Sequence, residues 1–457
     1  MSQRRVSRSP ALLRAGWRLW VSAAALVLLV STISWAGNNG NNFGAVGGVL
    51  INAEGVLTQP TAEDVKLIRE RYQHDFKPAI AELNQPVEMR KISLRQIEAA
   101  IAKSDKDNSY FLPDEIRFLA GLQRIQYVFV YPEQNDIVLA GPGEGWKLDN
   151  GGNYVGVTTG RPVLRLEDLM VALRTVDDAR QGGITVSIDP TAEGRRRYEQ
   201  FARTQKRFSP AFVAGAEEAF GPQTITITGV PATSRFARML VASDFKMKQI
   251  GLRLTDSGVQ GLPSYLELLA KQRAKPTNIA PRWWLACNYE PVGKSPDGLA
   301  FELRGPGVKV MAEDDLVAGD GSAKGTGKAS STTQKWASLM TEKYDELAAR
   351  EPAFGDLRNL MDLCVVAALI AKEDLLGKAG LEIPTMMNED SKLQLTQWLP
   401  PKQVATRCGF VRGSGEIITA SGGVEITSWH VADRTVESPE VGALRAKSAK
   451  PGSMWWN

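Results

Sequence analysis

Histidine and cysteine are scarce in this sequence, which has two histidines and three cysteines in 457 residues. A Ser-His-Asp hydrolase needs a histidine as its base, and most catalytic zinc sites use two or three histidines. His74 lies in the charged segment RERYQHDFK and His430 follows a tryptophan near the C-terminus, and neither has a nucleophile motif beside it. The scarcity argues against both classes of enzyme, and we expect neither a metal site nor a cofactor.

Complete phosphate-binding motifs are also missing. In GVTTGRP, residues 156–162, the glycines are one residue too close, and Arg161 and Pro162 stand where a P-loop has Lys and Ser or Thr. In GSAKGTGKAS, residues 321–330, the spacing is one residue too long and Ala329 replaces the hydroxyl residue. The glycine-rich stretch of residues 141–162 therefore predicts tight turns, with Asn150-Gly151 as a type I′ hairpin signal.

Acidic residues are absent from the first 18 residues, which carry five arginines. The uncharged apolar run LWVSAAALVLLVSTISWA follows and ends in Ser-Trp-Ala. This order predicts a signal peptide over residues 1–36 and an exported protein, periplasmic or extracellular. The alternative is an uncleaved leader that tethers the protein to the membrane through residues 19–36.

A strong excess of charge is missing from the rest of the chain. The formal net charge is +4, and the five leader arginines account for more than that excess. A nucleic-acid-binding protein needs a clustered basic surface. We therefore expect no nucleic-acid partner and no membrane contact beyond the leader.

The remaining pattern predicts an α+β fold with mixed sheets and helices packed on them. Alternating apolar runs with turn residues between them predict β-hairpins over residues 127–160. Residues 184–254 read as strand, helix, strand, helix. The predicted organisation is a flexible spacer at 37–46, an α+β domain at 47–260, a second α+β region at 261–435 with a mobile loop at 312–335, and a disordered tail at 436–457.

Trp283 and Trp284 are neighbours in a predicted strand, PRWWLACNYE. Successive strand residues point to opposite faces, so one indole belongs to the core and the other is free to stack on a ligand if the second face is wet. Cys364 lies in an apolar helical run, whereas the spacing leaves open a disulfide between Cys287 and Cys408. The candidate binding residues are Arg161, Trp283, Trp284, Arg235 and Asp244.

Five long segments resemble an uncharacterised, domain-of-unknown-function family of exported planctomycete proteins. The resemblance covers roughly residues 45–435 and implies export, but it transfers no activity and no catalytic residue. The segments are YVFVYPEQNDIVLAGPGEGW, VGVTTGRPVLRLEDLMVALR, PATSRFARMLVASDFKMKQIGL, PRWWLACNYE and DLRNLMDLCVVAALI.

The incomplete catalytic motifs favour a non-catalytic binding or structural component of the periplasm or cell envelope, with an envelope glycan or protein as its partner. The alternative is a hydrolase of cell-wall or polysaccharide substrates that works through Asp and Glu carboxylates. A deep pocket with two convergent carboxylates, one of them with a raised pKa, would favour the hydrolase. A shallow surface lined by turns would favour a binding module.

Overall fold

The structure is a computed structural model that describes residues 45–75, 77–107, 112–205, 209–271, 279–389, 396–412 and 415–457. The predicted signal peptide and residues 37–44 of the predicted spacer lie outside the described residues. At the end of that spacer, Val46 forms a β-bridge with Val49.

Twenty strands form four sheets in the described part of the chain. They are β1 Leu50–Ile51, β2 Val56–Thr58, β3 Val87–Ser93, β4 Tyr127–Tyr131, β5 Asp136–Gly143, β6 Trp146–Leu148, β7 Tyr154–Gly156, β8 Ile184–Pro190, β9 Pro222–Thr228, β10 Ile279–Asn288, β11 Val292–Lys294, β12 Ala300–Glu302, β13 Gly307–Val317, β14 Ala323–Gly325, β15 Gln403–Ala405, β16 Gly409–Val411, β17 Glu416–Ile418, β18 Ser421–Ile426, β19 Thr435–Glu437 and β20 Trp455–Trp456.

Seventeen α-helices accompany these strands in the same described residues. They are α1 Ala62–Asp75, α2 Ala81–Asn84, α3 Leu94–Lys106, α4 Asp114–Arg117, α5 Leu166–Arg174, α6 Val176–Gly182, α7 Ala192–Thr204, α8 Val213–Phe220, α9 Arg235–Gly251, α10 Tyr265–Ala270, α11 Ser331–Glu342, α12 Tyr344–Arg350, α13 Pro352–Lys372, α14 Leu375–Ala379, α15 Pro384–Met387, α16 Ser428–Ala432 and α17 Pro439–Ser448.

The larger sheet has nine strands in the order β1-β2-β15-β9-β8-β18-β10-β13-β14. Strands β10 and β18 run parallel, as do β2 and β15, and the other neighbours are antiparallel. The second sheet has seven strands in the order β19-β11-β12-β4-β5-β3-β20. Short ribbons β6-β7 and β16-β17 complete the set. This mixture of sheets and helices confirms the predicted α+β class.

Helix α9 covers one side of the nine-stranded sheet, where it packs against β8 and β18. Ser234 starts the helix, because its hydroxyl accepts a hydrogen bond from the amide of Ala237 at 3.0 Å. Sixteen of the seventeen residues of α9 are buried. Helix α13 packs on α9, and both belong to one large apolar core.

The predicted local order is confirmed in two places. Strands β4 and β5 pair as an antiparallel hairpin, as do β6 and β7. Strand β8, helix α7, strand β9 and helix α9 follow in the expected order. The predicted type I′ turn is wrong, because the residue with a positive φ is Gly152, at 78°, and the carboxylate of Asp149 accepts the amides of Gly151 and Asn153 at 2.8 Å each.

The predicted division at residue 260 is wrong. The described residues fall within one unit, Phe43–Asn457. Strand β18, from the second predicted region, pairs with β8 from the first, and β15 pairs with β2 and β9. The sheet therefore joins the two predicted regions by main-chain hydrogen bonds.

The predicted mobile loop over residues 312–335 is ordered. Strand β13 pairs with β10 along ten residues and reaches Val317, and β14 pairs back onto its end. The carboxylate of Asp314 accepts the amide of Ser330 at 2.6 Å and the hydroxyl of Thr333 at 2.9 Å. The Ser and Thr residues that suggested disorder thus serve the start of helix α11.

The predicted disordered tail over residues 436–457 is also wrong. It forms helix α17 and ends in β20, which pairs with β3 at the edge of the seven-stranded sheet. The amide of Ser93 donates to the carbonyl of Met454 at 2.9 Å, and Nε of Arg90 donates to the side chain of Asn457 at 3.0 Å. Two tryptophans and these long-range hydrogen bonds give the tail its order.

The three cysteines are free, so the disulfide left open by the sequence is not formed. Cys287 packs at the border of the main core, whereas Cys408 belongs to a separate cluster with Phe220 and Ile417. Burial raises the pKa of the Cys287 thiol to about 12.

Among the described helices, none combines the length and the apolar character needed to cross a bilayer.

Candidate functional site

The side of the nine-stranded sheet opposite α9 is partly exposed, although Ser421, Gly423 and Ala286 on it are buried, and we call it the open face. Along β8, Ile184, Val186 and Ile188 are buried, while the residues between them are partly exposed. Along β9, the alternate residues Thr224, Thr226 and Thr228 are exposed. The open face comprises Thr224, Thr226 and Thr228 of β9; Thr185, Ser187 and Asp189 of β8; Ser421, Gly423 and Glu425 of β18; Arg282, Trp284 and Ala286 of β10; and Lys309, Met311 and Glu313 of β13.

Trp284 lies in the middle row of the open face. Its neighbours in register are Gly423 on one side and Met311 on the other. Beyond Gly423 the row continues through Ser187 to Thr226. Because Gly423 has no side chain, the sheet surface beside the partly exposed Trp284 indole is flat. The hydroxyl groups of Ser187 and Thr226 follow in the same row.

Trp283 points to the opposite face, as the strand period predicts, and is fully buried. Its ring centroid lies 4.4 Å from that of Trp336 and 5.0 Å from that of Tyr265. Trp283 is therefore a core residue, and its nomination as a binding residue is wrong.

A charged cluster closes one end of the open face, where four strands of the sheet meet. Arg282 lies between two carboxylates: its Nε is 3.1 Å from Asp315 Oδ2 and its Nη2 is 3.5 Å from Asp189 Oδ1. The hydroxyl of Ser421 donates to Asp315 Oδ2 at 2.9 Å. The carboxylates outweigh burial and raise the pKa of Arg282. The arrangement fixes the guanidinium at the rim of the open face.

Asp315 is only 1% exposed, and its Oδ1 has no hydrogen-bond partner among the described residues. Arg195 of α7 lies near the same cluster and donates to the carbonyl of Gly321 at 3.4 Å. Burial lowers the pKa of Arg195, against the opposing effect of Asp189 and Asp315.

Arg235, one of the candidate binding residues, is buried in the core. Its guanidinium bonds the carboxylates of Asp168 and Asp356, the latter at 2.8 Å. Burial raises the pKa of both acids, although Arg235 opposes that shift. Helices α5, α9 and α13 each contribute one residue, so this triad joins three helices.

Asp244 is also buried, and it pairs with Lys248 one turn later at 2.9 Å. Burial raises the pKa of Asp244 to about 7, although Lys248 lowers it. Lys248 donates further to the carbonyls of Ile188 and Gly422, at 2.5 and 3.2 Å. The adjoining cavity holds only about 10 Å³, room for about one water molecule. The pair therefore ties α9 to the sheet.

Arg161 lies at the exit of the glycine-rich turn, as expected, but the turn is already occupied. The carboxylate of Glu144 accepts the amides of Thr158 and Thr159, at 2.8 and 2.9 Å, the hydroxyl of Thr159, and the side chain of Gln123 at 2.7 Å. Burial alone would raise the pKa of Glu144, but these hydrogen bonds have the larger combined effect, so the pKa lies below its ordinary value. The protein's own carboxylate thus fills the place that an anion would take.

A cleft of about 520 Å³ opens where β8 begins and β9 ends, and we call it the turn-lined cleft. Its wall combines residues of helices α5 and α6 with two backbone turns, one before β8 and one after β9. It is lined by Arg174, Thr175, Asp178, Gln181, Gly182, Gly183, Thr228, Gly229, Val230, Pro231 and Glu389. In the described residues, no group of three His, Cys, Asp or Glu side chains could hold a metal ion.

Residues 186–265 match a known protein family. A DUF1598 domain, of unknown function, is found there. The DUF1598 domain runs from within β8 to the start of α10. It includes most of β8, all of β9 and the helix α9 that packs on them. It is shorter than the region over which the sequence resemblance extends. No curated protein and no solved structure matches this chain.

Sequence reasoning missed Asp189, Arg282 and Asp315, because only the strand order brings them together. The hydroxyl rows had a signal: TITIT and TVSID alternate with period two, and their polar positions are the ones that face outward. The DUF1598 domain contributes Ser187 and Asp189 of β8 and the threonine row of β9, and the C-terminal half of the chain contributes Trp284.

Proposed function

We propose that the protein is a non-catalytic binding protein that holds a glycan of the cell envelope on the open face. The observation that carries the proposal is the partly exposed Trp284 beside Gly423 in the centre of an otherwise hydroxyl-rich sheet. A sugar ring presents C–H groups on its face and hydroxyls at its edge. A flat indole and rows of short polar side chains complement both.

The polarity of the open face favours a glycan over a protein partner. The centre of a protein interface is depleted of charged and small polar residues. Here Met311 is the one large apolar neighbour of Trp284 in its row, while Ser187 and Thr226 continue the row beyond Gly423. Glu425 lies two residues further along β18 on the same face. These hydroxyl and carboxylate oxygens offer donors and acceptors along a track across several strands, each about 4.8 Å from the next.

A binding role is favoured over hydrolysis. The carboxylates of Asp189 and Asp315 on this face have the guanidinium of Arg282 between them. A glycosidase needs that gap for the scissile bond and, in inverting enzymes, for a water molecule. The acids of the Arg235 triad and the Asp244–Lys248 pair have raised pKa values, but each is buried against a cation.

Export would bring the open face to its ligand. The basic residues and the apolar run of residues 1–36 support export, with cleavage after Ala36 or with a tether through residues 19–36. Both routes leave the sheet on the outer side of the membrane, where envelope glycans are found.

Titration calorimetry of the purified protein with chitin, peptidoglycan and mannan oligosaccharides tests the proposal. We expect one class to bind, and we expect Trp284→Ala to weaken that binding about tenfold or more, equivalent to about 1.4 kcal/mol. Thr226→Val removes one hydroxyl from the same row with little change of shape and should weaken binding less.

Trp455→Ala is the matched control, because Trp455 is also partly exposed but lies on the other sheet. Its affinity should equal that of the unchanged protein. Equal affinities for Trp284→Ala and the unchanged protein, or no binding by any oligosaccharide class, would overturn the proposal.

A further inference from the structure

The geometry points to the turn-lined cleft as the site for the end of the same glycan, and we infer that the terminal sugar it accepts carries a cationic amino group. This inference rests on the binding function proposed above. It assigns the cleft a ligand class that the open face alone does not specify.

The turn-lined cleft and the open face share a wall residue. Thr228 is the last residue of the exposed threonine row on β9 and also lines the cleft. Its hydroxyl lies 2.7 Å from that of Thr185, the last polar residue of the neighbouring row on β8. A chain that follows the hydroxyl rows away from the Arg282 cluster therefore reaches the cleft.

The size and walls of the cleft suit one terminal unit. Small-ligand sites enclose roughly 300–1,000 Å³, and this cleft holds about 520 Å³. Gly182, Gly183 and Gly229 supply walls without side chains, so a ligand can approach the backbone closely. Among the described residues, no aromatic side chain lines the cleft, so polar contacts would have to hold the terminal unit.

The charges of the cleft select a cation. Asp178 and Glu389 contribute two carboxylates, and Arg174 contributes one guanidinium. Two nitrogens of Arg174 are already engaged by main-chain carbonyls: Nε by Met386 at 2.8 Å and Nη2 by Asn388 at 2.7 Å. Among the described lining residues one negative charge remains in excess, and the exposed carboxylates are the groups that can reach a ligand amine.

Calorimetry with chitosan oligosaccharides, whose sugars carry free amines, and chitin oligosaccharides of equal length, whose amines are acetylated, tests the inference. We expect the free-amine ligand to bind about five- to tenfold more tightly at low salt and the preference to shrink as salt rises. Asp178→Asn should remove most of the preference while leaving the affinity for the chitin ligand unchanged. Asp177→Asn is the matched control, because Asp177 is exposed next in sequence but does not line the cleft.

Trp284→Ala distinguishes binding on the open face from binding in the turn-lined cleft. It should weaken both ligands by the same factor, because the indole contacts the chain outside the cleft. Equal affinity for the two ligands, or a preference that persists in Asp178→Asn, would overturn the inference and leave the proposed function standing. No binding of either ligand would overturn the inference, and the proposed function with it if peptidoglycan and mannan oligosaccharides also fail to bind.

Discussion

Glu144 holds the glycine-rich turn of residues 156–161 from inside. Its two carboxylate oxygens accept two backbone amides and two side-chain donors. Glu144→Gln replaces one acceptor by an NH₂ group that faces backbone N–H donors. We expect the free energy of unfolding to fall by about 2–3 kcal/mol, measured by urea denaturation at pH 7.

The same substitution predicts a pH dependence with a fixed sign. The hydrogen bonds hold the pKa of Glu144 below its ordinary value of 4.5, so the folded state prefers the ionised form. The stabilisation is therefore complete above the unfolded pKa and is lost as the pH falls through the lower folded pKa. The difference in unfolding free energy between the two proteins should shrink below about pH 4.5, and a constant difference from pH 7 to 3 would contradict this account.

Truncation of the two neighbouring tryptophans should destabilise the protein to very different extents. Trp283→Ala empties a site between Trp336 and Tyr265 and should cost about 3–5 kcal/mol of stability. Trp284→Ala acts on the open face and should cost less than about 1.5 kcal/mol. Thermal and urea denaturation of the two variants checks the contrast, and comparable losses would show that Trp284 also belongs to the core.

At the scale of the element, β18 depends on its two glycines. A Cβ added to Gly423 would come within 1.7 Å of the Val186 carbonyl oxygen on β8. Gly423→Ala should therefore separate β18 from β8 and cost more than about 3 kcal/mol. Gly319→Ala is the control, because nothing lies within 4 Å of the added atom. Urea denaturation checks the pair, and equal stability of the two variants would contradict the tight placement of β18.

Elements with local signals could be predicted from the sequence. Ser93 and Thr191 start helices α3 and α7 as N-caps, each accepting a backbone amide three residues later. Residues 312–335 and the C-terminal tail could not be predicted, because their order comes from distant partners. Strand β13 needs β10, and β20 needs β3, which lies more than 350 residues earlier in the chain.

The candidate site was predictable only in part for the same reason. The strand period singled out one of two tryptophans, and the structure identifies it as Trp284. Sequence spacing gave no indication that Asp189, Arg282 and Asp315 form one cluster, since they come from three strands. The burial of Arg235 and Asp244 could not be predicted, because their partners lie on helices and strands that the sequence does not pair.

At the scale of the molecule, the nine-stranded sheet makes the predicted first domain incomplete. A fragment of residues 47–260 keeps β8 and β9 but lacks β10, β13, β15 and β18. We expect it to show no cooperative unfolding transition by circular dichroism, whereas a protein of residues 45–457 should unfold cooperatively. A sharp transition in the fragment would mean that residue 260 is a true domain boundary.

The place of β18 between β8 and β10 has a consequence for synthesis. Residues 421–426 are made long after β8 and β10, yet they fill the middle of the sheet. Until they emerge, β8 and β10 each have an unpaired edge, the kind of surface on which nascent chains aggregate. The sheet therefore closes only after residue 426 is available, and a chain cut short before residue 421 should depend on chaperones to stay in solution.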